Sequence, residues 1–467
     1  MGDWDTLVGA RFAPERNEGR QEFSRTSRKA TLVLFSAALS VILGFLASTT
    51  PVFAVSVKTI YSFCSSANCA DGTGPSGGVI LDSAGNLYGT TAWGGTGQSC
   101  SVGGCGTVFE LILSNGTWTE KVLYSFCSVT NCTDGKQPSV GVIFDKAGNL
   151  YGTTYSGGAY GLGTIFELIR GNGSWTEKVL YSFGATSVYP ASPGPIVFGK
   201  DGNLYGTTSA GGTGQGCFVG GCGTVFELIQ RNGQWTGKVL HNFDHNGQDG
   251  FDPAAGVTFD SAGNLYSTTA SGGTDVSDCN GYGCGTVFEL SPGTNGQWTE
   301  KLLHSFYNNG TDGTAPYIGV VFDSAGNLYG TTKTGGAAAN ECSFEGCGTV
   351  YKLSPAANGQ WTEKILYSFF LNGPSGVYPN SLVVTARALY GTTGSGGIYT
   401  YPGTIFELTS ANGQWTETVL HSFSDSGRDG AYPDAASLVA DKAGNGYGAT
   451  SQGGSRQQGG VVYEITQ

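Results

Sequence analysis

From residue 55 onward, apolar and polar residues alternate in short stretches divided by glycine-rich turns. The segment 141–183 shows the pattern. Gly141-Val142-Ile143-Phe144 is a short apolar run, and residues 145–149 form a tight turn in which Gly148 and Asn149 tolerate positive φ. Leu150–Thr154 reads as a second strand, and residues 163–168 as a third after a Gly-rich loop. Asn172-Gly173 marks another tight turn, and residues 175–183 form the fourth and longest strand. Along it the two-residue period places Trp175, Val179, Tyr181 and Phe183 on one face and Leu180 on the other. Such a sheet is apolar on both sides and is expected to lie between neighbours of its own kind.

The four-strand unit, labelled a to d, recurs. Its anchor is Gly-Asn-Leu-Tyr-Gly-Thr-Thr, with tyrosines at Tyr88, Tyr151, Tyr205, Tyr266, Tyr329, Tyr390 and Tyr447, about sixty residues apart. Residues 55–63 match strand d without its tryptophan, and residues 460–465 match strand c. The repeat is thus permuted: an orphan d opens it and a missing d closes it. Pairing the two completes a blade and removes both edges. The expected fold is all-β, a seven-bladed β-propeller of four-stranded antiparallel blades over residues 55–467, closed by the N-terminal strand d against the C-terminal strand c.

Composition agrees. Glycine supplies 79 residues and methionine one, as suits short strands and turns. A net charge of −12 argues against a nucleic-acid partner. Residues 1–29 carry six basic side chains, an apolar run spans 30–47, and Val52-Phe53-Ala54 offers a cleavage site. Residues 1–54 therefore read as a signal peptide, or as a retained membrane anchor and the protein's one link to a membrane. Either places the remainder outside the cytoplasm, secreted, periplasmic or at the cell surface, and a monomer is expected. All twelve cysteines fall in Cys-x4-Cys pairs: Cys64/Cys69, Cys100/Cys105, Cys127/Cys132, Cys217/Cys222, Cys279/Cys284 and Cys342/Cys347. Six local disulfides in an oxidising compartment are expected. Zinc would need four converging ligands, and the four histidines are not spaced for it.

The pattern Pro-x-x-Gly-Val-x-x-Asp-x-Ala-Gly-Asn-Leu-Tyr, as at Pro138 to Tyr151, resembles the blade core of NHL and SMP-30-type propellers. The Gly-Gly after strand b and the tryptophan opening strand d resemble Kelch blades. Over residues 55–467 the chain is similar to the bacterial tandem-repeat family known as GloVer, or choice-of-anchor repeat proteins. That resemblance implies an extracellular propeller and supplies no activity.

In such a ring the a–b and c–d turns share one face, and the longer b–c and d–a loops share the other. All six cysteine pairs map to the long-loop face, which is the expected working surface. Exposed aromatics there, Trp93, Phe218, Tyr317, Tyr378 and Tyr432, are candidates to stack on a glycan or grip an extracellular protein. Asp-Gly-x-x-Pro recurs in d–a loops at Asp71, Asp134, Asp249 and Asp312, and at Asp429 with Pro433. It reads first as a turn device. The other reading makes Asp249, Asp312 and Asp429 part of a carboxylate ring able to hold calcium, with residues 244–250 faintly like a calcium loop. No other cofactor is expected.

Enzyme signatures are lacking. Gly74-Pro75-Ser76-Gly77-Gly78 matches Gly-x-Ser-x-Gly only formally. His241, His304 and His421 replace a strand-d tyrosine and read as packing variants, and Glu110 and its equivalents as cross-strand partners of lysines such as Lys121. No catalytic residue is assigned. The leading expectation is a binding propeller for a glycan or protein. A propeller enzyme (lyase, lactonase or hydrolase) on extracellular polysaccharide, and a purely structural envelope repeat, are the alternatives.

Overall fold

A computed structural model describes residues 55–466, apart from 76, 98–102, 185–190, 218–219, 275–278, 339–340, 343–344, 372, 400–401, 425–428, 434–437 and 457. The expectations for residues 1–54, and those for Ser76, Cys100 and Phe218, lie outside the described residues.

Seven four-stranded antiparallel sheets form the blades. Blade 1 comprises Val79–Leu81, Leu87–Thr91, Thr107–Ser114 and Thr117–Ser125, paired in that order. Blades 2 to 6 repeat it. Blade 7 takes Val439–Ala440, Gly446–Thr450 and Val461–Thr466 from the C-terminus and completes itself with Ser56–Ser62. Ser56 faces Thr466 and Ser62 faces Val461, so the expected closure is present.

The short turns follow from their sequences. In the a–b turn, Asp82 Oδ1 accepts the amides of Ala84 and Asn86, and its Oδ2 accepts Asn86 Nδ2 and the Tyr88 hydroxyl. In the c–d turn, Asn115 and Gly116 adopt φ 49° and 75°, matching the twist of the strands they join.

One sequence expectation needs correction. Strand d carries a bulge at Leu180: Phe166 pairs with Val179, but Ile165 pairs with Tyr181. The extra residue shifts the phase of the strand. Trp175 therefore packs toward blade 1, with Tyr88 and Phe144, whereas Leu180, Tyr181 and Phe183 all turn toward blade 3. The same bulge recurs in every blade. It lets one strand serve two interfaces.

Seven seams hold the ring, each with its own buried cluster. At each seam the strand-d phenylalanine meets the strand-c aromatic of the next blade, as in Phe63–Phe109, Phe126–Phe166 and Phe423–Tyr463, with centroids 4.8, 5.0 and 5.2 Å apart. The proline that opens strand a lies against the glycine that precedes strand c of the previous blade. Gly223 shows why that glycine is required. Its φ is +89°, and an added Cβ would stand 2.5 Å from both Pro253 Cδ and the Thr208 carbonyl oxygen. Gly223→Ala should cost roughly 2–4 kcal/mol, combining strained backbone with overpacking. Urea unfolding checks this, and an unchanged midpoint would refute the proline–glycine lock.

Candidate functional site

The loops of the long-loop face are tied down. Gly250–Phe251 pairs with Ser271–Gly272, Gly313–Thr314 with Thr334–Gly335, and Gly430–Ala431 with Gln452–Gly453. Each ribbon joins an Asp-Gly loop to the Gly-Gly segment after strand b. Five disulfides are described, Cys64–Cys69, Cys127–Cys132, Cys217–Cys222, Cys279–Cys284 and Cys342–Cys347. Cys105 packs beside Cys127 and Cys132, so loops of adjacent blades interlock. These disulfides fit an oxidising surrounding.

The Asp-Gly aspartates point inward. Asp71, Asp134, Asp249 and Asp312 are buried. Asp71 accepts the Tyr61 hydroxyl at 3.0 Å, and Asp134 accepts that of Tyr124 at 2.8 Å. Where the strand-d residue is histidine, Nε2 takes that place: His241–Asp249 at 3.0 Å, His304–Asp312 at 3.3 Å and His421–Asp429 at 3.1 Å. The adjacent glycine is needed because a Cβ on Gly72 would strike the Thr91 side chain. Asp244 meanwhile accepts the Gln215 amide, while Asp249 turns to His241.

Four of these aspartates meet a second carboxyl from strand d of the next blade. Burial first, and then the neighbouring aspartate's charge, raises Glu120 to about 7 beside Asp71 and Glu177 to about 8 beside Asp134. The same causes raise Glu300 to about 8 beside Asp249 and Glu363 to about 9 beside Asp312. The seam between blades 6 and 7 has Val57 at this position. Strand-c glutamates sit across from strand-d lysines and also accept the anchor tyrosine hydroxyls. Glu110 sits opposite Lys121, and its Oε1 accepts the Tyr88 hydroxyl at 2.6 Å. Glu227 has Lys238 at 4.0 Å.

The candidate aromatics are dispersed. Trp93 (45% exposed) follows strand b of blade 1, and Tyr317 (43% exposed) lies under the Lys333 ammonium at 5.3 Å. Tyr378 and Tyr432 are half-buried with φ 63° and 55°, each just before the proline that opens strand a. Tyr378 packs into the seam of blades 5 and 6. The remaining exposed aromatics of these loops include Tyr160 and Tyr282.

An open cleft of about 630 Å³ lies at the rim of blade 6. Pro374 and Ser375 come from the loop between blades 5 and 6, and Ile398 and Tyr399 from the b–c loop of blade 6. Its floor is strand d, Gln414–Ser422, which presents Glu417 and His421. Ile398 and Tyr399 are 63% and 54% exposed. Glu417 Oε2 accepts the Ser375 hydroxyl at 2.7 Å and the Tyr367 hydroxyl at 3.0 Å, and burial raises its carboxyl above the ordinary range. Sequence reasoning passed over this cleft. The signal was there: blade 6 lacks both a cysteine pair in its b–c loop and an Asp-Gly in the loop before it. The cleft lies where both devices are missing.

The model of the family described as Gloeobacter/Verrucomicrobia repeat matches residues 44–277 and 276–467. No curated protein matches the chain. Among solved structures, the chain is similar to a putative oxidoreductase (glucose dehydrogenase) of Thermus thermophilus, at 14% identity and TM-score 0.40, covering 70% of this chain and 95% of that one. It is also similar to an ulvan lyase of polysaccharide lyase family PL25, at 8% identity, covering 86% of this chain and 94% of that one. The TM-score is 0.49, and 0.48 for the form bound to -[GlcA(1-4)Rha3S]-.

Proposed function

The chain belongs to the Gloeobacter/Verrucomicrobia repeat family, and from that premise we propose that it is an exported binding propeller that holds a glycan on its long-loop face, at the rim cleft of blade 6. The observation that carries this reading is the makeup of the cleft. An exposed tyrosine and isoleucine share the cleft with a carboxyl, an imidazole and two serine hydroxyls. Sugars offer an apolar ring face to aromatic groups and hydroxyls to polar ones, so such a surface suits them. The cross-tied loops hold these groups in place, which lowers the ordering cost of binding. Export, by a leader within residues 1–54, agrees with the disulfides.

Calorimetric titration with purified oligosaccharides, chosen from a glycan array, tests the reading. Tyr399→Ala should weaken binding at least about tenfold, in line with the loss of one stacked ring, with the melting temperature unchanged. Undiminished binding by Tyr399→Ala would move the site away from blade 6. Loss in alanine variants of Trp93 and Tyr317 instead would place it among the dispersed loop aromatics. Binding to an extracellular protein and to no glycan would overturn the sugar assignment.

A second reading is a propeller enzyme on extracellular polysaccharide. One feature favours it: Glu417, whose carboxyl burial raises above its ordinary range, and His421, paired with Asp429, line one cleft, the two residue types that general acid–base chemistry uses. Against it, Glu417 holds the strand-d position of Glu120, Glu177, Glu300 and Glu363 in other blades, and catalytic groups are normally singular. Binding is the reading retained.

A further inference from the structure

Two neighbouring seams carry the same three metal-ligand side chains. Between blades 3 and 4 they are His241, Asp249 and Glu300, and between blades 4 and 5 they are His304, Asp312 and Glu363. In each triad one imidazole nitrogen and one oxygen from each carboxylate lie within 4.8 Å of one another. His241 Nε2 stands 3.0 Å from Asp249 Oδ2. His304 Nε2 stands 3.3 Å from Asp312 Oδ2 and 3.5 Å from Glu363 Oε1. The aspartates are pre-positioned by backbone amides: Gly250 and Gly313 donate to Oδ1 at 2.7 Å, and Asp244 and Tyr307 donate to Oδ2 at 3.1 Å. The glutamates are held less well. Glu300 Oε1 is closed off from solvent and accepts no hydrogen bond, and Glu363 Oε1, equally enclosed, has the His304 nitrogen only at 3.5 Å and shares its site with the Asp312 carboxyl.

Two buried carboxylates side by side repel, and an unpaired buried carboxylate oxygen is costly. No lysine or arginine among the described residues forms an ion pair with these four carboxylates. A positive charge at the centre of each triad removes both penalties. The other seams show what the histidine adds. Around Asp71 and Asp134 the third residue is a tyrosine, whose hydroxyl donates to the aspartate. Around Asp249 and Asp312 that donor is replaced by a nitrogen that is itself a good ligand.

We propose that the two seams are paired binding sites for a borderline divalent cation of the zinc class, each ligated by histidine Nε2, one aspartate oxygen and one glutamate oxygen. Calcium fits less well, because it wants six to eight oxygens and no imidazole. Three protein ligands of mixed nitrogen and oxygen type, with a fourth position left for water or an outside group, suit zinc. Histidine and aspartate come from one blade and its loop, and the glutamate from the next blade. A bound ion therefore staples blades 3, 4 and 5 beneath the long loops. The seam between blades 6 and 7 is an internal control. It has the His421–Asp429 pair but Val57 in place of the glutamate, and it should not bind.

The test uses the chelator-treated protein, titrated with zinc by calorimetry and with cobalt(II) by its visible absorption. Two equivalents should bind. His304→Tyr and His241→Tyr, which install the residue other blades use, should each remove one equivalent, and the double variant both. His421→Tyr should remove none. Glu300→Gln and Glu363→Gln provide a second route, since they keep the side-chain shape and delete the charge. Melting temperatures of all variants without metal should match the parent. Uptake by the parent no greater than by the double histidine variant overturns the proposal, as does uptake that depends on His421. That result would leave the triads as seams held by a proton alone.

Discussion

A chain that starts at Cys64 should fail to hold the ring. Without Ser56–Ser62, the strand Val461–Thr466 becomes an open edge, ready to pair with another molecule. Phe63 is lost as well. It is fully buried, its amide donates to the Gly460 carbonyl at 3.0 Å, and its ring meets Phe109 of blade 1. The expected result is aggregation, or a melting transition far below that of a chain starting at Val55, read by circular dichroism and size-exclusion chromatography. Phe63→Ala keeps the strand and isolates the seam, and should cost about 3–5 kcal/mol. A chain from Cys64 that melts together with the longer one would show that blade 7 stands on three strands, and the closed-ring account would fail.

Between about pH 9 and pH 5 this protein should grow more stable as the pH falls. Glu120 and Glu177 titrate at about 7 and about 8 in the folded chain, against 4.5 ordinarily. Burial is the main cause, and the charges of Asp71 and Asp134 add to it. Tyr61 and Tyr124 also face these pairs, as donors to the aspartates. Because the folded values are raised, the folded chain holds protons that the unfolded chain releases. Their contribution is fully present below about 4.5 and is lost as pH rises through 7 to 8. The melting temperature should therefore decline between about pH 5 and pH 9. The double variant Glu120→Gln, Glu177→Gln should show a shallower decline. A parent profile that is flat or rising over that window would mean that the seams accommodate two charged carboxylates after all.

Particular residues show how far the sequence could be read. The anchor tyrosines, the Asn-Gly turns and the Asp-x-Ala-Gly-Asn turns each carry local chemistry that dictates local geometry. Strand number, turn type and blade count were therefore legible. Leu180 shows the limit. A bulge leaves the composition of a strand untouched while changing which side chains share a face, so a two-residue period drawn through it assigns the wrong neighbours. Asp249 and Asp312 show a second limit. Their motif marks a turn, but the direction of the carboxylate depends on a histidine eight residues earlier and a glutamate one blade away. The Tyr399 cleft shows a third, since it lies where both devices are missing from blade 6.

The sequence by itself determined the repeat, the strands within it, the permuted ends and so the closed seven-fold ring. These depend on periodicity and on turns, which act over a few residues. Only the tertiary structure decided which side chains meet at the seams, that the Asp-Gly carboxylates face inward, and where the long-loop face stays open. Those outcomes depend on contacts between blades some sixty residues apart, where burial and the pairing of charge select the arrangement and no local pattern records it.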